Sequence, residues 1–149
     1  MKTHFLTADR QKQLQLDPGL AREQRVIAQS AARRALEQGN NAQAFEYTGE
    51  AFEIARTVIL SLHNPATSTQ TLAEDFLAYG ALALYMASQY ENQGEADVAQ
   101  YLLEQSQQQL AALQPLYAAE PDIASLIRSV MQSLDDNEQP AATTLAKPH

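Results

Sequence analysis

The chain contains no cysteine, which excludes disulfide scaffolds, thiolate metal sites and cysteine nucleophiles together. Glycine and proline are scarce, five and six in 149 residues, and are read as confined to breaks between apolar-periodic stretches. Strand patterns are missing too, while Ala and Gln dominate, so an all-α fold is predicted. No run approaches the ~18 apolar residues of a membrane span. Residues 1–16 lack the apolar core of about 7–15 residues that a signal peptide needs. A soluble, cytoplasmic protein without a membrane partner is therefore expected. Basic residues are nearly absent from the later part of the chain. Residues 61–149 hold two, Arg128 and Lys147, against eleven Asp/Glu, whereas residues 1–60 hold eight Lys/Arg against seven Asp/Glu. Such a surface repels phosphate over more than half its length, so nucleic acid is not an expected partner.

What is present is a repeated break. Gln38-Gly39 and Gln93-Gly94 each separate two apolar-periodic stretches, with a small residue, Ala44 or Ala99, five positions after the glycine. Each is read as a helix–turn–helix with glycine in the left-handed conformation that closes a helix. Asp17-Pro18 reads as N-cap and first helical position. The first long helix is predicted from Gly19 to Gln38, with a thin face of Ala21, Ala28, Ala31, Ala32 and Ala35 and with Leu20 and Ile27 at its margin. Asn40 and Asn41 can cap a second helix reaching Leu62, whose broad stripe includes Ala44, Thr48, Ala51, Ala55, Val58 and Leu62. Thr71 and Glu74 suggest a capping box for a third helix carrying Leu72, Phe76, Tyr79, Ala83, Met86 and Tyr90. A fourth runs to Leu113 and a fifth from Pro121 to Leu134. The expected domains are an N-terminal arm, partly ordered, over 1–16, a helical domain over 17–134 and a disordered tail over 135–149. A short amphipathic turn is possible around Ala8 to Leu16.

Aligned on the two glycines, the hairpins resemble tetratricopeptide (TPR) repeats, which place small and large apolar residues at fixed distances from a helix-ending turn. Ala32, Ala87, Ala44 and Ala99 match the small positions, Met86 a large one and Tyr90 an aromatic one, across residues 26–62 and 81–113. The resemblance implies two long antiparallel hairpins in a right-handed superhelix, capped by the C-terminal helix. It also implies a concave groove, lined by the first helix of each hairpin, that grips a segment of another protein. Groove positions would be Gln29, Arg33, Leu36 and Glu37 in the first copy and Leu84, Ser88, Glu91 and Asn92 in the second. The Lys/Asn clamp that some members use on a C-terminal carboxylate is not present at these positions. An ordinary antiparallel bundle is the alternative.

Arg22, Arg25, Gln29 and Arg33 follow helical spacings of three, four and four, forming a ridge suited to carboxylates on a partner. The alternative is a solvated face that pairs with the acidic residues of the same chain. Tyr85, off the main stripe of its helix, and Leu84 suggest an exposed contact for a partner or a second copy. Tyr47, Tyr79, Tyr90 and Tyr101 are read as near the hairpin cores. The partner-binding set is thus Arg22, Arg25, Gln29, Arg33, Glu37, Leu84, Tyr85, Ser88, Glu91 and Asn92. His4, His63 and His149 show no ligand spacing, so neither a metal nor another cofactor is expected. Glu50, Glu53, Glu74 and Asp75 lack local His or Arg company, and no catalytic motif is present, so no enzyme is expected. The function expected is a protein-interaction adaptor or scaffold. A secretion-type chaperone and a homodimeric structural bundle are the alternatives.

Overall fold

The structure, a computed structural model, describes residues 2–61 and 64–138. Among these the chain is all-α. The helices are α1 (Ala8–Leu16), α2 (Pro18–Glu37), α3 (Asn41–Leu60), α4 (Thr69–Asn92), α5 (Ala96–Leu113) and α6 (Pro121–Glu138), with a 3-10 turn at Gln114–Tyr117. Packing divides the chain into two compact units, one ending at Leu82 and the other starting at Ala83. Helix α4 therefore contributes its first part to one and its last part to the other.

Both glycine turns have one hydrogen-bond pattern. Gly39 and Gly94 sit at φ 74° and 80°, where any side chain is strained. Beyond each, an amide reaches back over the turn, from Asn40 to the Ala35 carbonyl and from Glu95 to that of Tyr90, both at 2.8 Å. The glycine amides themselves donate to the Leu36 and Glu91 carbonyls, at 3.0 Å each. This pairing satisfies carbonyls that a helix end otherwise leaves open.

In the first unit Asp17 ends α1 and starts α2. Its carboxylate accepts from the Leu20 amide at 3.1 Å, with Pro18 in the first turn, where no donor is missed. The alanine face of α2 (Ala21, Ala28, Ala32, Ala35) is buried against α3, where Ala44, Ala51, Ile54, Ala55 and Val58 are buried. Small side chains on both helices permit that close approach. Thr48 and Thr57, also buried, satisfy their hydroxyls on the carbonyls four residues back, each at 2.8 Å. Phe52 stacks on Tyr79 of α4 with ring centroids 5.6 Å apart. Leu14 of α1 joins Ala21, Ile54 and Val58 in a cluster that Leu6 and Leu20 flank.

The second unit is built on longer side chains. Leu103 and Leu110 of α5 and Ile123, Ile127 and Leu134 of α6 are almost wholly removed from solvent. Gln107 ties the two helices by donating to the Met131 carbonyl at 3.0 Å. Pro115 turns the end of α5 into the 3-10 segment, which buries Tyr117.

Several expectations are corrected. The cap of α4 is Ser68, not Thr71: the Ser68 hydroxyl accepts from the Thr71 amide at 3.1 Å, so the helix starts at Thr69. Helix α6 continues past Leu134 to Glu138, supported by side-chain bonds one turn apart from Gln132 to Asp136 and from Asn137 to the Ser133 carbonyl. The four residues read as the start of the tail are thus helical, and 139–149 lie outside the described residues, as do Leu62 and His63. Residues 8–16 form a full helix, started by the Thr7 hydroxyl accepting from the Arg10 amide at 3.1 Å. Gly49 lies inside α3 rather than at a break. Tyr101 is 63% exposed, away from the core, because it projects from the outer side of α5.

Candidate functional site

The outer face of α2 is the surface on which the predicted ridge lies, and the structure divides the ridge. Arg22 turns inward and forms a two-pronged ion pair with Asp75 of α4, its Nε and Nη2 donating over 2.9–3.1 Å. Asp75 is only 4% exposed, so this pair is internal wiring. Arg25 is buried as well, donating to Gln29 at 2.8 Å. Asp75 and Glu50 thus have the arginine company that sequence reasoning denied them, because Arg22 and Arg10 arrive from 53 and 40 residues away.

Arg33 and Glu37 stay exposed. Val26, Ser30, Arg33 and Glu37 succeed one another at helical spacing along the middle of the outer face. Ile27 and Arg34, seven apart, flank that line on one side, and Gln29 and Leu36 flank it on the other. Val26 is 53% exposed and Ile27 59%. Among the described residues neither Arg33 nor Arg34 has a carboxylate within ion-pair distance. The face can therefore bury aliphatic surface and meet negative charge in one contact. Val26 and Ile27 are the elements that sequence reasoning missed; Val26, about half a turn from the alanine face, is the one whose helical position already pointed outward.

In the second unit, Leu84 and Tyr85 are half-buried, while Ser88, Glu91 and Asn92 are exposed on α4. The unit also has an open cleft of about 490 Å³ where α5, the 3-10 turn and α6 meet. Small side chains and prolines line it, and Arg128 is its one charged residue. Among the described residues no group of three or more His, Asp or Glu is arranged to hold a metal. Nor, among the described residues, is any helix long and apolar enough to cross a membrane.

One carboxylate departs from the sequence expectation. Glu53 of α3 is 4% exposed, and its pKa is raised above the ordinary glutamate value, chiefly by burial. Opposing this, the main-chain N–H groups of Phe5 and Leu6 donate to it, and Arg56, at 3.7 Å, and His4 attract it. These partners bind its ionised form and offer it no substrate-facing opening, so its chemistry is that of a fastener for the segment before α1.

Comparison with known protein families, curated proteins and solved structures finds no match to this chain.

Proposed function

We propose that the chain is a protein-binding helical module of TPR-like build, an adaptor or scaffold whose α2 outer face receives a segment of another protein. The observation that carries this reading is the continuous exposure of Val26 and Ile27 beside Arg33 and Arg34, which lack internal partners among the described residues. Single exposed aliphatic residues are ordinary on protein surfaces, whereas several on one helix face beside cations that make no ion pair among the described residues suit an interface. The complementary segment is amphipathic, with aliphatic residues to cover Val26 and Ile27 and carboxylates for the two arginines. Arg22 and Arg25 support that face from beneath and do not contact the partner, a narrower set than the full ridge. The exposed Ser88, Glu91 and Asn92 on α4, groove positions by the TPR resemblance, remain open to a partner.

In-cell photocrosslinking tests the reading, with the photoreactive residue introduced at Ile27 or, as control, at exposed Ser129 of α6. A discrete heavier adduct is expected from Ile27, absent from Ser129 and lost when R33E and R34E are combined. The same adduct from both positions, or none from Ile27, Val26 and Leu36, overturns the proposal.

A further inference from the structure

Leu116 stands 63% exposed in the 3-10 turn, while the residues on either side of it are committed: Pro115 lines the open cleft and Tyr117 is buried beneath the turn. Two main-chain bonds hold the turn in shape, from the Ala118 amide to the Pro115 carbonyl at 3.3 Å and from the Glu120 amide to the Tyr117 carbonyl at 2.9 Å. The leucine is therefore presented on a fixed backbone at the rim of a recess of about 490 Å³. Ala118, Pro121 and Ala124 give that recess apolar walls too short to fill it.

Charge marks the same place. Arg128, at the cleft wall, is the one cation beyond residue 60 among the described residues, and it makes no ion pair among them. Asp122, exposed beside Pro121 at the start of α6, makes none among them either.

We propose that this surface is a contact between two copies of the chain related by a two-fold axis, in which Leu116 of each enters the cleft of the other and Arg128 of each meets the other's Asp122. A surface that binds its own copy must carry a projection together with the recess that receives it, and charges of both signs. Residues 111–128 carry all of these within one compact unit. A lone exposed leucine is ordinary on a protein surface; one on the rim of an apolar recess is half of such a fit. Apolar groups at the centre and a polar rim are also the general plan of a protein interface. A small molecule in the cleft would leave Leu116 in water, whereas a second copy covers both features and the two-fold makes one fit serve twice. The net charge of −8 opposes association at long range. Arg128 answers it locally, since it stands where the acidic surface of the second copy arrives. The contact lies in the second unit and uses no residue of α2, so it is independent of the function proposed above. Its extent is below the ~1,200 Å² of a standard interface, and a reversible dimer with a dissociation constant of about 0.1 mM is expected.

Sedimentation equilibrium of the full chain, from about 10 μM to about 1 mM, measures that constant. Because the two-fold uses each residue twice, L116A removes two buried leucines, and a loss of about tenfold for each weakens the dimer about a hundredfold. A118F changes an exposed residue and fills the cleft, which should weaken the dimer by about tenfold or more. R128E sets like charges against each other and should weaken it about tenfold. The combined R128E/D122R recovers most of that loss, which a local effect on folding would not give. Combining R33E and R34E leaves the dimer unchanged. A chain that stays monomeric throughout overturns the proposal. So does a dimer that L116A or A118F leaves intact, one that R128E/D122R fails to recover, or one that R33E with R34E dissolves, which would place the second copy on the α2 face.

Discussion

In the first unit, ion pairs tie helices to one another, Arg22 of α2 to Asp75 of α4 and Arg10 of α1 to Glu50 of α3, while Lys2 ties the segment before α1 to Glu46 and Arg56 lies beside Glu53 within α3. In the second, among the described residues, no such pair occurs, and Leu103, Leu110, Ile123, Ile127 and Leu134 fill the interior. The charge distribution along the sequence sets this difference, since beyond residue 60 there are only Arg128 and Lys147 to answer eleven carboxylates. The alanine face of α2 buries little area per residue, so the first unit takes its large buried side chains from α3 and α4, Phe52, Ile54, Phe76 and Tyr79 among them, whereas α5 and α6 bring leucine and isoleucine to their own contact. The pairs that cross between helices also fix their relative geometry.

The largest effect is expected where area does the holding. Ile127→Ala removes a fully buried side chain and should cost about 3 kcal/mol, from lost transfer energy and the cavity left behind. Urea unfolding measures it, and a loss below about 1 kcal/mol would show that the second core is loosely packed.

Arg22→Leu breaks the comparison from the other side. It strands the Asp75 carboxylate in a buried site, at an expected cost of about 3 kcal/mol. The double change R22L/D75L should recover most of the loss, because two apolar groups of similar shape can replace a buried pair at little cost. If the double variant is no more stable than R22L, the penalty lies in packing and not in the unpaired charge.

A smaller contrast lies in the two glycine turns, which share a backbone but not a cap. The Asn40 side chain accepts from the Gln43 amide at 3.1 Å, while Glu95 makes no such bond. Asn40→Ala should therefore cost about 1 kcal/mol and Glu95→Ala should be nearly neutral. Equal losses in thermal unfolding would remove the distinction.

These turns were legible in the sequence because positive φ demands glycine and leaves a mark at one position. The start of α4 was less so, since Thr67, Ser68, Thr69 and Thr71 all offer hydroxyls and only the backbone register selects Ser68. Asp135, Asp136 and Asn137 look like a tail, as they carry no apolar stripe; α6 includes them because a helix already nucleated upstream extends at little cost. The ridge on α2 was visible as a pattern, but its division was not. Nothing local to Arg22 distinguishes it from Arg33; Asp75 does, and it lies 53 residues away. The seat of Phe5 on α3, where its ring fills the space a Cβ at Gly49 would take, was hidden in the same way, with Gly49 as the one available signal, a glycine inside a helical stretch.

That seat supplies the last and smallest test. Burial raises the Glu53 pKa in the folded protein, so between the unfolded and folded values the native state binds the extra proton. The stability this group contributes is fully present below the unfolded pKa and falls away as pH rises through the raised folded value. Wild-type stability relative to Glu53→Gln, which has no charge to lose, should therefore decline as pH rises above the ordinary glutamate value of 4.5. The slope should be shallow. Ionisation is opposed by desolvation but favoured by the Phe5 and Leu6 amides and by Arg56 and His4, and the two influences partly cancel. Denaturation at a series of pH values measures the difference, and a gap that widens in favour of the wild type as pH rises would show that the amides outweigh burial and that the carboxylate is held ionised.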